Sequence, residues 1–422
     1  MSSTINITFG RQLGHGSYGK VYECTLDDNS RMAAKIIPMK NYGQPDLLEA
    51  SIMCSYEHPS LTRAKYVHTE RGKMYIIQEL ATDNVARYIK NQVPTELVLH
   101  SWCLALAQAV ACLHNERIIH CDIKGANALR YHDNRVSLAD FTLATLASHN
   151  DEYFKHMICT VSHRPPEVMA GEYWTFSVDI WSLGITFYEI STGELLVPYQ
   201  GRNISNKLRT DLRKQQINER ALAAITLWAQ SRGDAKALRF NTKIRDVIQV
   251  ELSPHFLQLK KEFQELVLWM LTFDPEKRPT ITEVLAHPYF NTTMAPYTIV
   301  STPTSEVPAD EVRMLERIAS KYNLPSNVLQ KTKELYSRCT KMKEARSFAL
   351  VQACIWVAYK VMTGVHLEGI ELQLHQIVEL ERLVCRHLGY RLHVASTPSS
   401  TCVDAPIKRP VPPSSLKPLR KH

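Results

Sequence analysis

No C-x-x-C pair occurs among the ten cysteines of this 422-residue chain, which removes the spacing of a structural zinc site or a dithiol redox motif. The cysteines are scattered, several in apolar surroundings as free buried thiols are, so a reducing compartment is expected. Long hydrophobic runs are also missing. The longest, FALVQACIWVAY from Phe348 to Tyr359, is too short to span a bilayer and contains a glutamine. The opening MSSTINITFG lacks the charged-then-apolar order of a secretion signal. A soluble intracellular protein, cytoplasmic or nuclear, with no membrane partner is therefore expected. There is no internal repeat, and aromatic and basic residues nowhere interleave in a nucleic-acid-binding module. The net charge of +8 reads as a solvated basic surface that favours acidic partners in general, and nucleic acid is not an expected one. What is present is ordinary for globular chains, 45% hydrophobic and 22% charged residues, at a length that exceeds a single core and predicts two or three domains.

Residues 8 to 80 read as short strands around one helix. GRQLGHGSYGKVYECTL and RMAAKIIPM flank the turn-forming DDNS, DLLEASIMCSYE has helical spacing, and KMYIIQEL is extended. From Leu97 the period becomes helical, as in LVLHSWCLALAQAVACLHNE. Residues 200 to 265 carry charged helical stretches without catalytic spacing and read as scaffold. At 291 to 310 Pro, Thr and Ser replace periodic apolar residues, which reads as a linker. Helical periodicity returns over 311 to 393 as a compact all-α unit, and 394 to 422, rich in Pro and Ser with basic residues at its end, reads as a disordered tail.

Gly14, Gly16 and Gly19 form G-x-G-x-x-G, followed by Lys20 and Val21. A loop without side chains lets backbone N–H groups approach phosphate closely. A dinucleotide site would need a helix straight after the glycines, whereas VYECTL and RMAAKII read as a strand pair, a hairpin covering nucleotide phosphates. Lys35, alternating with apolar neighbours, gains weight from Glu49 on the next helix, which could hold the ammonium against two phosphate groups. In HCDIKGAN (120 to 127), Asp122 is placed to accept or orient a hydroxyl proton, Lys124 to neutralise charge on a transferring phosphate, and Asn127 to offer an oxygen to magnesium. Asp140, in LADFT, is a second magnesium ligand candidate. Any one of these could be a loop-capping polar residue. That reading does not account for six in this order and separation.

Taken together, these residues resemble a eukaryotic-type protein kinase domain over 8 to 290: the glycine loop, Lys35, Glu49, HCDIKGAN, DFT (140 to 142), RPPE (164 to 167), DIWSLG (179 to 184) and Arg278 in FDPEKRPT. The resemblance implies an α+β bilobal fold, with a small β-rich N-lobe over about 8 to 80, a large helical C-lobe over 81 to 290, and ATP in the cleft. It implies Asp122, Lys124, Lys35 and Glu49 as catalytic residues and Asn127 and Asp140 as Mg2+ ligands. Gly14, Gly16, Gly19, Val21, Lys35 and the hinge residues Gln78, Glu79 and Leu80 would bind nucleotide. It further implies that Glu167 pairs with Arg278 and that Asp179 supports the catalytic loop. Lys124 and Thr160 match the serine/threonine type, so protein Ser and Thr hydroxyls are the expected substrates.

Five positions depart from the pattern. Cys121 stands where the family often carries an arginine that helps clamp a phosphorylated residue of the activation segment. Twelve residues before Glu167, where the cyclin-dependent kinases carry a phosphothreonine, the residue is Lys155, and Leu48 and Thr145 stand where those kinases usually carry arginines. A kinase that receives no phosphate there needs no arginine to bind it, so activity without activation-segment phosphorylation is expected. Thr142 replaces the glycine of D-F-G, and a β-branched residue resists the backbone freedom that glycine provides. Asp140 is retained, so magnesium binding need not be lost. A nucleotide-binding but inactive scaffold, recruiting partners through its helical domain, stays open as the alternative.

In the C-terminal unit, ARSFALVQACIWVAYKVM is apolar nearly all round, as the central helix of a bundle is. IASKYNLPSNVLQKTKELY, ALVQACIWVAYKV and IVELERLVCRHLGYRLHV resemble, in order, a cyclin-like box, on helix pattern and on Ala353, Ala358, Lys360, Glu379, Leu388 and Gly389. In cyclin-dependent kinases the cyclin presses the glutamate-bearing helix inward. The resemblance implies that residues 311 to 393 do this for Glu49 in cis, tethering having raised their effective concentration toward the millimolar range. PDLLEASIM does not reproduce the family's cyclin-contact signature, so a separate cyclin is not an expected partner.

Overall fold

The computed structural model describes residues 7–15, 19–38, 44–147, 152–197, 210–239, 249–293, 295–296, 298–299, 309–321, 324–339, 348–363, 384–385, 388 and 391–392. Gly16, Glu379, Gly389 and the tail over 394 to 422 lie outside the described residues.

Five strands form one antiparallel sheet: β1 (Ile7–His15), β2 (Lys20–Leu26), β3 (Arg31–Pro38), β5 (Ala64–Glu70) and β6 (Lys73–Glu79), in the order β1-β2-β3-β6-β5. Helix α1 (Gln44–Ser55) and the short β4 (Tyr56–Glu57) lie between β3 and β5 in the chain. The DDNS turn closes the β2–β3 hairpin. Asn29 takes the left-handed conformation that asparagine tolerates (φ 60°), and the Asp28 carboxylate accepts from the Ser30 amide at 2.9 Å. Register places Lys35 opposite Val21 on β2 and Ile76 on β6, at the centre of the sheet. Gly19 is required by close approach, since a Cβ there would sit 2.6 Å from the Ile36 carbonyl oxygen.

The larger lobe is helical, built around Glu96–Asn115, Ser177–Thr192 and Lys261–Met270. The Glu96–Asn115 helix is apolar enough to cross a membrane by length and composition, but Leu99, Trp102, Leu106, Val110 and Leu113 are buried within the lobe. Glu167 and Arg278 form the expected pair, bidentate at 2.6 and 2.7 Å and wholly buried, with the remaining guanidinium protons donated to the Thr272, Phe273 and Ser177 carbonyls. A buried pair of this kind contributes little net stability when intact, yet removing one partner strands a charge. Arg278→Ala is expected to lower unfolding stability by about 3–5 kcal/mol, measured by urea denaturation.

The C-terminal helices Ala309–Lys321, Ser326–Cys339 and Phe348–Thr363 continue the same core. Leu315, Val328, Leu335, Ala353 and Ala358 belong to one apolar cluster with Leu47, Leu48 and Ile52 of α1. The Phe348–Thr363 helix packs on α1, and the Leu392 amide donates to Ser51 Oγ on α1 at 3.0 Å. The expected linker is not irregular throughout. Its Thr298–Ile299 pairs antiparallel with β4, Thr298 opposite Glu57 and Ile299 opposite Tyr56, directly after α1. Within the Ser326–Cys339 helix, the buried Lys331 bonds Glu334 at 2.9 Å. Burial pushes its pKa down, Glu334 pulls it up, and the positive charges of Arg338 and of Arg117 in the large lobe add to the downward push.

Candidate active site

Lys35 reaches from the middle of β3 into the cleft between the lobes and meets two carboxylates. Its ammonium donates to Glu49 Oε1 and Oε2 at 2.7 and 2.8 Å and to Asp140 Oδ1 at 2.8 Å. The sheet places Lys35, α1 places Glu49, and the turn entering Phe141–Leu143 places Asp140, in left-handed backbone at φ 66°. Burial works against the charge on Lys35, but Glu49 and then Asp140 outweigh it and raise its pKa. Burial likewise opposes ionisation of Asp140, and Lys35 overcomes it, holding the carboxyl down at about 2. Glu49 is fully enclosed, and desolvation pushes its carboxyl upward against the pull of Lys35.

The catalytic loop hangs from Asp179, which accepts from the backbone amides of His120 at 2.7 Å and Cys121 at 2.9 Å and bonds His114 Nε2 at 2.9 Å. These bonds hold Cys121 in left-handed backbone (φ 64°), a conformation that costs a non-glycine residue energy. Asp122 then projects into the cleft with its carboxylate surrounded by donors. Lys124 Nζ lies at 2.6 Å, the Thr160 amide at 2.9 Å, Thr160 Oγ1 at 2.8 Å and Asn127 Nδ2 at 3.2 Å. Lys124 also donates to Thr160 Oγ1 at 2.8 Å. The Asn127 amide nitrogen is turned toward Asp122, bonding its carbonyl at 2.9 Å as well, which leaves Oδ1 for a cation. The two clusters are tied together because the Ala139 amide, next to Asp140, donates to the Asn127 carbonyl at 2.9 Å, and His120 Nε2 bonds the Ala139 carbonyl at 3.2 Å.

The residues fit nucleotide and magnesium. Asp140 and Asn127 offer hard oxygen ligands, and among the described residues no group of three or more His, Cys, Asp or Glu forms a metal cage. That is the donor set of Mg2+, which keeps water and shares phosphate oxygens instead of filling its shell from protein. Gly14 and Val21 face each other across the β1–β2 hairpin. At the hinge, Gln78 pairs with Ala33 on β3, while the Glu79 side chain turns to Arg135 of the large lobe at 2.8 and 2.9 Å. That salt bridge occupies the Glu79 carboxylate and leaves its backbone as the group to offer a base.

The position of Cys121 is apolar and closed. Its thiol is buried among Ile158, Cys159, Val168, Trp174 and Val178, and donates weakly to the Ile119 carbonyl at 3.5 Å and to Thr145 Oγ1 at 3.7 Å. Burial pushes its pKa well up, so the sulfur is a neutral packing atom. Leu48 is buried as well. Lys155 instead lies over the Tyr173 ring at 4.9 Å. Beside it, Phe154 and Trp174 exchange backbone hydrogen bonds of 2.9 Å each and stack at 4.9 Å, with Trp174 Nε1 donating to the His156 carbonyl at 2.8 Å. Aromatic packing and backbone pairing therefore fasten the segment where cyclin-dependent kinases carry a phosphate clamp and this chain was expected to have none.

Three roles were not anticipated from the residues. The Thr142 hydroxyl joins the Lys35 cluster, Thr160 anchors Asp122 as well as marking type, and the Arg164 guanidinium holds the Cys159 carbonyl at 2.5 Å and the Ile158 carbonyl at 2.7 Å. His120, inside the quoted motif, was the available signal for the loop's internal bonding.

The protein kinase domain family matches residues 7–290. The chain belongs to that family. It is 29% identical over 297 residues to "Mitogen-activated protein kinase 11" of Oryza sativa subsp. japonica, covering 66% of this chain and 50% of that protein. It is 27% identical over 298 residues to "Cell division control protein 2 homolog 3" of Trypanosoma brucei brucei, covering 67% of this chain and 91% of that protein. The match thus spans half the length of the first relative and nearly all of the second.

Proposed function

We propose that the chain is an ATP- and magnesium-dependent protein serine/threonine kinase whose C-terminal helical unit, residues 311 to 393, acts in cis as a cyclin-like activator. The observation that carries the kinase reading is the joining of the two clusters, Lys35–Glu49–Asp140 and Asp122–Lys124–Asn127, through the Ala139–Asn127 backbone bond. The names of both relatives, a mitogen-activated protein kinase and a cell division control protein, favour the same reading.

ATP supplies the γ-phosphoryl group, and magnesium, when bound, would spread the charge that develops on its oxygens. Lys35, oriented by Glu49, presents a fixed positive charge where phosphate oxygens lie. Asp122 orients a protein Ser or Thr hydroxyl and receives its proton as the new O–P bond forms and the bond to the leaving diphosphate oxygen breaks. Lys124, 2.6 Å from the same carboxylate, neutralises charge on the transferring group. Asn127 and Asp140 would hold the metal.

The closed, apolar surroundings of Cys121 and Leu48 and the Lys155–Tyr173 contact support activity without a phosphate on the activation segment. Phosphatase treatment of the purified chain is expected to leave the rate of peptide phosphorylation within about twofold, a change worth under ~0.5 kcal/mol. Loss of activity together with a mapped phosphosite between Asp140 and Glu167 would overturn this. The cis reading rests on the packing of the helical unit against α1, the helix that carries Glu49. The proposed location is intracellular, in cytoplasm or nucleus.

A further inference from the structure

Thr142 is a residue of the site whose side chain the kinase reading leaves unused. It sits in the 3-10 turn Phe141–Leu143 and is 3% exposed. Its Oγ1 accepts from Lys35 Nζ at 2.9 Å and lies 2.6 Å from Asp140 Oδ1 and 3.1 Å from Glu49 Oε2. One hydroxyl therefore touches all three charged members of the cluster.

We propose that the Thr142 hydroxyl is a positioning group that fastens Glu49 and Asp140 to Lys35 and so holds helix α1 inward before nucleotide arrives. The physical need is specific. Two carboxylates share one ammonium, and they repel each other. A hydroxyl carries one proton and two lone pairs. Here it takes a hydrogen bond from the ammonium and returns its own proton to one carboxylate at a time, the shorter bond going to Asp140. When Asp140 turns toward a cation, the same proton is free for Glu49, so the helix keeps a bond that a glycine at this position could not make. Hydrogen bonds to charged partners in a buried site are the strong ones, and an ion cluster missing one bond leaves its charges under-satisfied.

The competing role for Thr142 is space filling by its methyl group, and two substitutions separate the two. Thr142→Val keeps the volume and removes the hydroxyl, whereas Thr142→Ser keeps the hydroxyl and removes the methyl. Hydrogen exchange of the α1 amides over 47–55 is measured on the nucleotide-free full chain, and kcat and KM for ATP are measured alongside. Thr142→Val is expected to speed exchange in α1 about tenfold and to lower kcat/KM for ATP about tenfold, the worth of one hydrogen bond to a charged group. Thr142→Ser is expected to stay within about twofold of the parent on both counts, hydroxyl and bonds being retained. If Val behaves as the parent does, or Ser loses as much as Val, the proposal is overturned. Should Val unfold, Thr142→Ala against Thr142→Ser isolates the hydroxyl, the two differing in nothing else. The kinetic half rests on the kinase reading. The exchange half does not, so a chain that transfers no phosphate would sink that reading while still deciding the role of Thr142.

Discussion

Asp122→Asn is expected to reduce phosphate transfer to a Ser/Thr peptide by about 10²- to 10⁴-fold while leaving nucleotide affinity within a few-fold. The replacement is nearly isosteric, but the site around it is built for an anion. Lys124, Asn127 Nδ2, and the amide and hydroxyl of Thr160 all point donors at the carboxylate, the nearest at 2.6 Å. An amide brings two protons of its own into that shell and must turn one of them toward a donor, so it loses both the basic oxygen and the alignment of Lys124. Nucleotide contacts are spared because Lys35, Gly14 and Val21 lie across the cleft on the sheet. Radiolabelled transfer from ATP, run beside binding of a non-hydrolysable analogue, reads the two quantities separately. Transfer by Asp122→Asn at the parent rate would remove Asp122 from the chemistry. Binding without transfer by the parent chain itself would favour the scaffold reading over the enzyme.

The parts of this site that could be read from sequence are those in which chemistry and local backbone coincide. HCDIKGAN carries acid, lysine and asparagine within one loop, so their mutual distances follow from a few residues of chain, and the structure keeps all three in contact. Lys35 and Glu49 could be paired because a strand followed by a helix is a short-range arrangement. Thr142 shows where such reading stops. From sequence it is a stiff residue replacing glycine, and only the fold reveals a hydroxyl 93 positions from Glu49 and 107 from Lys35 that bonds both. The same holds for Leu392 and Ser51, which are 341 positions apart. It holds too for Thr298–Ile299, whose strand pairing with β4 is set by a partner edge and not by its own Pro- and Thr-rich surroundings. Cys121 was legible as a missing arginine, but its left-handed backbone and enclosure by Trp174 and Val178 depend on tertiary packing.

Leu392→Asp is expected to lower kcat by roughly 10- to 100-fold at saturating ATP, by releasing the helical unit from α1. Leu392 is fully buried, its amide is bonded to Ser51 on α1, and Arg391 beside it lies near enough to Cys54 of the same helix to pull against the burial that pushes that thiol up to about 11. A carboxylate at this position would be buried in the apolar cluster that Leu392 belongs to, and its desolvation favours undocking. With the unit docked, α1 is contacted by the Phe348–Thr363 helix and, just past its end, by the Thr298–Ile299 strand. Both restrain the rotation that would carry Glu49 away from Lys35. Undocking removes the Phe348–Thr363 helix from α1 and leaves the Thr298–Ile299 strand, the Lys35–Glu49 pair and Thr142 to hold it, so the inward state becomes one of several populated states. A chain ending at residue 300 should show the same loss, provided its unfolding transition stays cooperative. Restored activity on pairing Leu392→Asp with a compensating cation, Ser51→Lys, would tie the loss to this contact. Full activity in both the substituted and the shortened chain would remove the helical unit from activation. It would then be a surface for recruiting other proteins, with Glu49 held inward by the kinase lobes alone.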